Sequence, residues 1–330
     1  MSKQPYSTPL RMLAVFGIVL VASLLNGCDW TLLDPKGQVG LEEKNLIITS
    51  TALMLIVVIP VIIMTIMFAW KYREQNKDAT YTPNWSHSNK IEVVVWTIPC
   101  IIILALGIVT WNSSHSLDPS KPIESSEPKM VIEAIALDWK WLFIYPDQGI
   151  ATVNEIHFPV DVPVEFRVTS GTVMNSFFIP QLGSQIYAMA GMQNKVNLIA
   201  NQAGTFDGLS ANYSGAGFSD MKFTATAGTA AEFDAWVKKV KASGQTLNAD
   251  TYHTLEAPTI KAPVAYYADV TPKLYETIIE NMQKGTNKPT AKLEQGEGHA
   301  EEHAAATAEP KKTSEMSADM PGMAMSAPQH

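Results

Sequence analysis

GTFDGLSANYSGAGFSDMKF, residues 204–223, is rich in glycine and serine and ends in a short apolar run. Glycine and small polar residues favour turns, so this stretch is predicted to be a loop between two strands. Upstream, residues 164–169 alternate apolar and polar side chains, which is the period of a half-buried strand. Further strands are predicted at residues 130–137, 156–160, 172–179, 186–189, 195–199 and 221–226. Short strands at this spacing predict an antiparallel β-sandwich.

The composition of the chain argues against several classes of function and site. The 330-residue chain has a net charge of −8 and no concentrated Lys/Arg stretch, which argues against nucleic acid as a partner. Its two cysteines, Cys28 and Cys100, are too few for a disulfide framework. None of His87, His115 and His157 has a second ligand at metal spacing, so these histidines do not predict a metal site.

Two apolar runs, residues 46–70 and 93–111, contain no charged side chain and are long enough to cross a bilayer. They predict a transmembrane hairpin within an N-terminal segment of residues 28–112, followed by a linker at residues 113–129. From Lys71 to Lys90, the connection between the two runs contains Lys71, Arg73, Lys77 and Lys90 against Glu74 and Asp78. By the positive-inside rule this connection is cytoplasmic, which places the β-rich part of the chain in the periplasm.

The N-terminus has the features of a secretory signal, because Lys3 and Arg11 precede an apolar run that meets a small residue and Cys28. Residues 25–28, Leu-Asn-Gly-Cys, resemble the bacterial lipobox, in which the cysteine becomes the diacylated first residue after cleavage. The resemblance implies a lipoprotein signal peptide at residues 1–27 and a lipid attached to Cys28. The alternative is a signal anchor that stays uncleaved. A lipidated Cys28 on the outer face of the inner membrane agrees with the topology predicted from the hairpin.

The 204–223 loop resembles the metal loop of the cytochrome c oxidase subunit II family, in which Cys-x-Glu-x-Cys, a later His and a Met bind a dinuclear copper centre. In that order, the residues of this chain at those positions are Ser210, Asn212, Ser214, Phe218 and Met221. The first His ligand of the family lies upstream, and Asn175 stands at its position. Bridged coppers need soft thiolates and imidazoles, so no metal is expected in this chain.

Within this family, the vacated loop is similar to that of subunit II of the bo-type heme-copper ubiquinol oxidases. The resemblance implies a cupredoxin-like periplasmic domain over residues 130–227 and a redox-inactive role in a proton-translocating oxidase. A partner subunit I would hold the hemes and the copper, ubiquinol would replace cytochrome c as electron donor, and smaller subunits III and IV would join the complex. The chain would then support assembly. A second class of function is a non-enzymatic periplasmic lipoprotein that binds a ligand or copper.

Residues 89–99, NKIEVVVWTIP, are similar to the start of the second helix in subunit II of heme-copper oxidases. In that family the matching glutamate stands at the cytoplasmic entrance of a proton path in subunit I, which implies the same role for Glu92. An ionisable side chain at a membrane boundary is costly unless it is paired or hydrated, which also makes Glu92 a functional candidate. The alternative is an interfacial glutamate paired with Lys90.

Residues 138–146, DWKWLFIYP, form the densest aromatic segment of the chain. They are similar to the segment of copper-bearing relatives that helps electrons reach the heme subunit, a role that is not expected without copper. Aromatic side chains dominate interface cores, so Trp139, Trp141, Phe143 and Tyr145 are predicted to pack against subunit I.

Beyond the sandwich, residues 230–242 and 271–282 have apolar side chains at helical spacing and predict helices within a region of residues 228–283. Residues 284–330 are rich in Ala, Glu, Lys and Pro and are predicted to be a disordered tail. The side chains of this tail that suit Cu(I) are His299, His303, Met320, Met323 and Met325. A flexible tail without a metal is the favoured interpretation.

Overall fold

The structure, a computed structural model, describes residues 31–80 and 82–285. The helices are α1 (Gln38–Lys71), α2 (Asn89–Ser116), α3 (Ala230–Lys241), α4 (Ala249–Glu256) and α5 (Leu274–Gln283), with short 3-10 turns at Thr31–Leu33 and Phe218–Asp220. The strands are β1 (Met130–Leu137), β2 (Lys140–Tyr145), β3 (Ile150–Val153), β4 (Glu155–Pro159), β5 (Val164–Ser170), β6 (Asn175–Phe178), β7 (Ile186–Ala188), β8 (Asn194–Leu198), β9 (Gly204–Ser210), β10 (Lys222–Gly228), β11 (Thr246–Leu247), β12 (Ala265–Tyr267) and β13 (Asp269–Val270). The predicted signal peptide, Cys28 and the tail from residue 286 lie outside the described residues.

Helices α1 and α2 are 34 and 28 residues long and are apolar enough to cross a membrane. Each extends beyond its apolar run, and α2 continues to Ser116, so the predicted linker at residues 113–129 is wrong for its first residues. The physical reason is that polar side chains at this end bond to the helix itself. The Ser113 hydroxyl donates to the carbonyl of Thr110 at 3.2 Å, and Nδ1 of His115 lies 2.7 Å from the carbonyl oxygen of Trp111.

The predicted β-sandwich is confirmed, with a six-stranded sheet in the order β12-β3-β2-β1-β5-β8 and a five-stranded sheet in the order β4-β10-β9-β6-β7. The pairing is not wholly antiparallel as predicted, because β1 runs parallel to β5 and β4 runs parallel to β10. In both cases the chain passes through other strands before it returns, so the two paired strands enter their sheet from the same side. Strand spacing alone does not contain this information.

The glycine-rich stretch that was predicted to be a loop contains a strand in its first part, since residues 204–210 form β9. Phe206, Gly208 and Ser210 point to the buried side, and Asp207 and Thr205 point outward. Gly208 is required by packing, because a Cβ atom at this position would lie 2.1 Å from the ring of Phe223 on β10. Only residues 211–217 and the following 3-10 turn form the loop.

The core between the two sheets is aromatic. The Phe177 ring stacks on Phe223 at 5.2 Å between ring centroids, and Phe143 and Trp141 lie 5.0 and 5.9 Å from Phe223. Full burial of side chains of this size contributes about 2 kcal/mol each relative to exposure to water. Trp141, Phe143 and Tyr145 have no exposed surface, so the prediction that they contact subunit I is wrong for these three. They alternate along β2 and face the opposite sheet of their own domain.

The other face of β2 is also buried, because α4 and α5 cover it. Leu142 and Ile144 belong to a second apolar cluster that includes Leu274 and Ile278 of α5. The predicted helix at residues 230–242 is confirmed as α3, and its start carries a capping box between Thr229 and Glu232. The predicted helix at residues 271–282 begins later, at Leu274, and α4 was not predicted.

Candidate functional site

The residues that were matched to the copper-ligand positions of the family lie together at one end of the five-stranded sheet. Asn175 begins β6, Ser210 ends β9, and Met221 immediately precedes β10. Strands β6 and β9 are neighbours, with Ser210 opposite Phe177, and β9 pairs with β10. Three positions that are distant in sequence are therefore placed side by side by strand pairing. We call this group, with Asn212, Ser214 and Phe218 of the intervening loop, the vacated corner.

Hydrogen bonds join the buried members of the vacated corner to one another. The Ser210 hydroxyl donates to Oδ1 of Asn175 at 3.1 Å, and the backbone N–H of Ser210 donates to the carbonyl of Met221 at 3.1 Å. Nδ2 of Asn175 donates to the carbonyl of Val173 at 3.0 Å. Asn175, Ser210 and Met221 are 1%, 3% and 1% exposed, so these bonds form away from water. Their polar atoms satisfy each other within the protein, as buried polar groups must.

Contacts also hold the loop residues of the vacated corner, although the buried Ser214 hydroxyl has no hydrogen-bond partner among the described residues. Nδ2 of Asn212 donates to the carbonyl of Met174 at 3.0 Å, which ties the loop to the start of β6. The indole N–H of Trp139 donates to the carbonyl of Ser214 at 3.1 Å. The Phe218 ring packs edge-on against Tyr213 at 5.6 Å between centroids. The corner is therefore closed by ordinary side-chain contacts.

Trp139 is the half-buried member of the predicted interface aromatics. Its side chain packs against the loop of the vacated corner. It occupies the two-residue turn between β1 and β2 with a φ of 63°, a backbone conformation that is uncommon for a bulky residue. Gly217 allows the close approach of the indole, since a Cβ atom there would lie 2.4 Å from the ring. The β1–β2 turn and the vacated corner are thus in direct contact.

The chemistry of the vacated corner is that of neutral hydrogen-bonding groups. It offers hydroxyl and amide groups, one thioether and a phenyl ring, and it has no thiolate or imidazole. Within residues 31–80 and 82–285 there is no group of three or more His, Cys, Asp or Glu side chains that could hold a metal ion. Two bridged copper ions need softer ligands than these, so the residues present do not fit a dinuclear copper centre.

Glu92 lies in the first turn of α2, where the helix dipole favours a negative charge. One of its carboxylate oxygens is 3.4 Å from Nδ1 of His87, and about half of the side chain is exposed. The sequence alternative paired Glu92 with Lys90. The structure instead places the His87 imidazole next to the carboxylate.

A charged cluster that the sequence did not reveal lies at β4. Glu155 accepts hydrogen bonds from the indole N–H of Trp236 at 2.9 Å and the hydroxyl of Tyr266 at 3.0 Å. Nε2 of His157 lies 3.1 Å from the same carboxylate, and its ring stacks on Trp236 at 4.6 Å. The contact with His157, followed by those with Trp236 and Tyr266, lowers the pKa of Glu155 to about 2 against the effect of burial. The signal in the sequence was the spacing of Glu155 and His157, which puts both on one face of a strand.

A second carboxylate is perturbed in the opposite direction. Glu133 of β1 is 5% exposed and lies near Glu276 of α5. Burial, with a smaller contribution from the negative charge of Glu276, raises the pKa of Glu133 to about 7, although Arg167 acts in the opposite sense. The adjacent Tyr275 hydroxyl is buried and has no hydrogen-bond partner among the described residues.

Comparison with known proteins gives two family matches. Residues 148–227 match the periplasmic domain of cytochrome c oxidase subunit II, which identifies the sandwich as cupredoxin-like as expected. Residues 241–285, which include α4 and α5, match the COX aromatic rich motif.

The most similar relatives include the cytochrome bo(3) ubiquinol oxidase subunit 2 of Pseudomonas putida, at 58% identity over 87% of this chain and 90% of the relative. The ubiquinol oxidase subunit 2 of Acetobacter aceti is 52% identical over 86% of this chain and 94% of its own length. Among solved structures, the periplasmic domain of cytochrome oxidase subunit II from Bradyrhizobium japonicum is 24% identical, with a TM-score of 0.35, and covers 36% of this chain and 99% of that one.

Proposed function

Because this chain belongs to the family of ubiquinol oxidase subunit II, we propose that it is a redox-inactive subunit of the oxidase. In this proposal quinol oxidation and the reduction of O2 to water take place in subunit I, which holds the hemes and the copper. The observation that supports it is the chemistry of the vacated corner. Its side chains are neutral, and the Ser210 hydroxyl donates a hydrogen bond to Asn175. Electrons from ubiquinol start within the membrane, so cytochrome c and a periplasmic copper port are not needed.

Copper content tests this proposal. The full-length chain, purified in mild detergent, is compared with a variant that ends at residue 285 and so lacks the Met- and His-containing tail. We expect no stoichiometric copper and no thiolate-to-copper absorption band in the shortened chain. Copper at a fixed ratio in the shortened chain would overturn the proposal. Copper in the full-length chain alone would instead support the alternative of a ligand-binding tail.

We further propose that Glu92 forms part of the proton uptake path on the cytoplasmic side of the complex. The carboxylate lies at the start of α2, is about half exposed, and has His87 as a titratable neighbour at 3.4 Å. A glutamate at a membrane boundary with an imidazole beside it can accept a proton from water and release it toward a partner subunit.

The test is ubiquinol oxidase turnover and proton uptake in the complex with Glu92→Gln. Glu74→Gln is the matched control, because Glu74 is an exposed glutamate in the same connection. We expect turnover to fall about 10- to 100-fold with Glu92→Gln and to stay unchanged with Glu74→Gln, at equal heme content. Unchanged turnover with Glu92→Gln would exclude the proton role.

The proposal includes a membrane topology. The α1–α2 connection is cytoplasmic, the sandwich is periplasmic, Cys28 carries the lipid, and subunits I, III and IV are the partners. The charge around the connection supports this arrangement, since residues 71–90 contain four basic side chains against two acidic ones. Incorporation of labelled fatty acid into the wild type and its loss in Cys28→Ser would test the lipid, and protease protection of the connection would test the topology.

A further inference from the structure

An open groove of about 610 Å³ runs along the end of α1. Its apolar wall consists of Ile63, Ile66, Met67 and Trp70, which share one face of the helix because they follow the helical spacing of three and four residues. Ile66 is 62% exposed and Trp70 is 68% exposed, so the rest of the described chain does not cover this wall. On a helix apolar enough to cross a membrane, such a wall faces lipid or another membrane helix.

The polar end of the groove is formed by the residues that follow the helix. The side-chain amide of Asn76 donates to the carbonyl of Lys71 at 2.6 Å, and its backbone N–H donates to the carbonyl of Arg73 at 2.9 Å. These two bonds fold the chain back beside the end of α1. The Arg73 guanidinium carbon then lies 5.9 Å from the centre of the Trp70 ring, within range of a cation–π contact. The Lys71 ammonium lies 5.6 Å from the centre of the Tyr72 ring, and both Lys71 and Arg73 line the same groove as the apolar wall.

Lys71 and Arg73 make no ion pair with any carboxylate in the described part of the chain. The carbonyl groups at the C-terminal end of α1 favour cations there. Arginine and lysine together can hold a phosphate oxygen group, the arginine through its planar fork and the lysine as a point charge. The groove thus changes from apolar to cationic along its length, as a phospholipid changes from acyl chain to phosphate.

We propose that this groove binds one anionic phospholipid, with an acyl chain along Ile63, Ile66 and Met67 and the phosphate between Lys71 and Arg73. Two unpaired cations favour a headgroup of net negative charge over a zwitterionic one, because the second positive charge of a zwitterion would meet Lys71 or Arg73. The proposal requires that α1 crosses the membrane, and it is independent of the redox and proton roles proposed above.

Lipid binding to the purified oxidase complex tests the site. The complex is stripped of lipid by detergent exchange and then titrated with phosphatidylglycerol, phosphatidylcholine or inorganic phosphate, with bound lipid counted by native mass spectrometry. The variants are Lys71→Gln and Arg73→Gln. Lys77→Gln is the matched control. This substitution also removes one positive charge from the same connection, but Lys77 does not line the groove.

We expect one phosphatidylglycerol per complex in the wild type and in Lys77→Gln, and affinity weakened about tenfold in Lys71→Gln and Arg73→Gln. Ile66→Trp fills the groove while it keeps both cations, and it should also lose the lipid. Equal binding of phosphatidylcholine, displacement by inorganic phosphate, or equal affinity in all variants would overturn the proposal. Absence of bound lipid in the wild type would show that another membrane helix covers the groove, and would overturn it as well. Heme content of each variant shows that the complex is assembled.

Discussion

Two polar clusters in the sandwich differ in how they are held together. In the vacated corner, Ser210 and Asn175 join β9 and β6 through a neutral hydrogen bond at 3.1 Å. At β4, the Glu155 carboxylate accepts hydrogen bonds from the indole of Trp236 and from a tyrosine hydroxyl on β12, and it contacts the imidazole of His157. The first cluster keeps a loop in shape without any charge, so it should be insensitive to pH. The second cluster joins β4, β12 and α3 through the Glu155 carboxylate. It should therefore be destabilised when this carboxylate is protonated.

The largest effect is expected from Glu155→Gln, which removes the charge on which the second cluster depends. Because hydrogen bonds to an ionised group are the stronger kind, the free energy of unfolding at pH 7 should fall by about 2 kcal/mol. The pKa of Glu155 is lowered to about 2 in the folded chain, from an ordinary value of 4.5. Its contribution is therefore fully present above pH 4.5 and is lost as the pH falls toward 2.

Urea denaturation followed by tryptophan fluorescence would measure this difference at pH 7 and at pH 3. The gap between wild type and Glu155→Gln should narrow at the lower pH. A gap that is the same at both values would mean that packing against Trp236, and not the carboxylate charge, stabilises the cluster.

A smaller effect of opposite sign is expected from Glu133→Gln, because Glu133 is buried and its carboxylate accepts no hydrogen bond from the described part of the chain. Its pKa is raised to about 7, so the folded chain binds a proton more tightly than the unfolded chain between pH 4.5 and pH 7. Stability is therefore lost as the pH rises through this range and stays low above it. Glu133→Gln should raise the free energy of unfolding by about 1–2 kcal/mol at pH 8 and should leave it unchanged at pH 4.

Thermal melts at pH 4 and pH 8 would check this sign. Glu276→Gln, on the exposed side of α5, should give a smaller gain at pH 8 in the same direction, because it removes only the neighbouring charge. A loss of stability at pH 8 in Glu133→Gln would show that the carboxylate is instead stabilised by Arg167.

The smallest effect is expected in the vacated corner. Ser210→Ala leaves Oδ1 of Asn175 without its donor and should cost about 1 kcal/mol, equally at pH 4 and pH 8. Ubiquinol oxidase turnover should not change, because this corner carries no electrons in the proposed function. Ser219→Ala, an exposed serine in the adjacent turn, is the control and should cost less. A loss of turnover at unchanged stability would assign the corner a functional role.

Sequence alone determined the features that depend on local composition. Both long apolar helices followed from uncharged runs, because hydropathy over about 20 residues is sufficient to predict a candidate span. Helix α3 followed from apolar residues at helical spacing, and the identity of the side chains at the former ligand positions was visible in the sequence itself. The family that these features indicated is the one that the similar proteins support.

Only the tertiary structure decided which side chains meet. Trp236 and Glu155 are 81 positions apart in sequence, and the residues around each of them do not indicate their contact. Strand β9 was not predicted, because its glycines indicated a loop. The need for glycine at position 208 follows only from the Phe223 ring packed against it. Trp141 is internal because the opposite sheet covers one side of β2 and helices cover the other. Local patterns report the period of a chain segment, whereas burial depends on which distant segment packs against it.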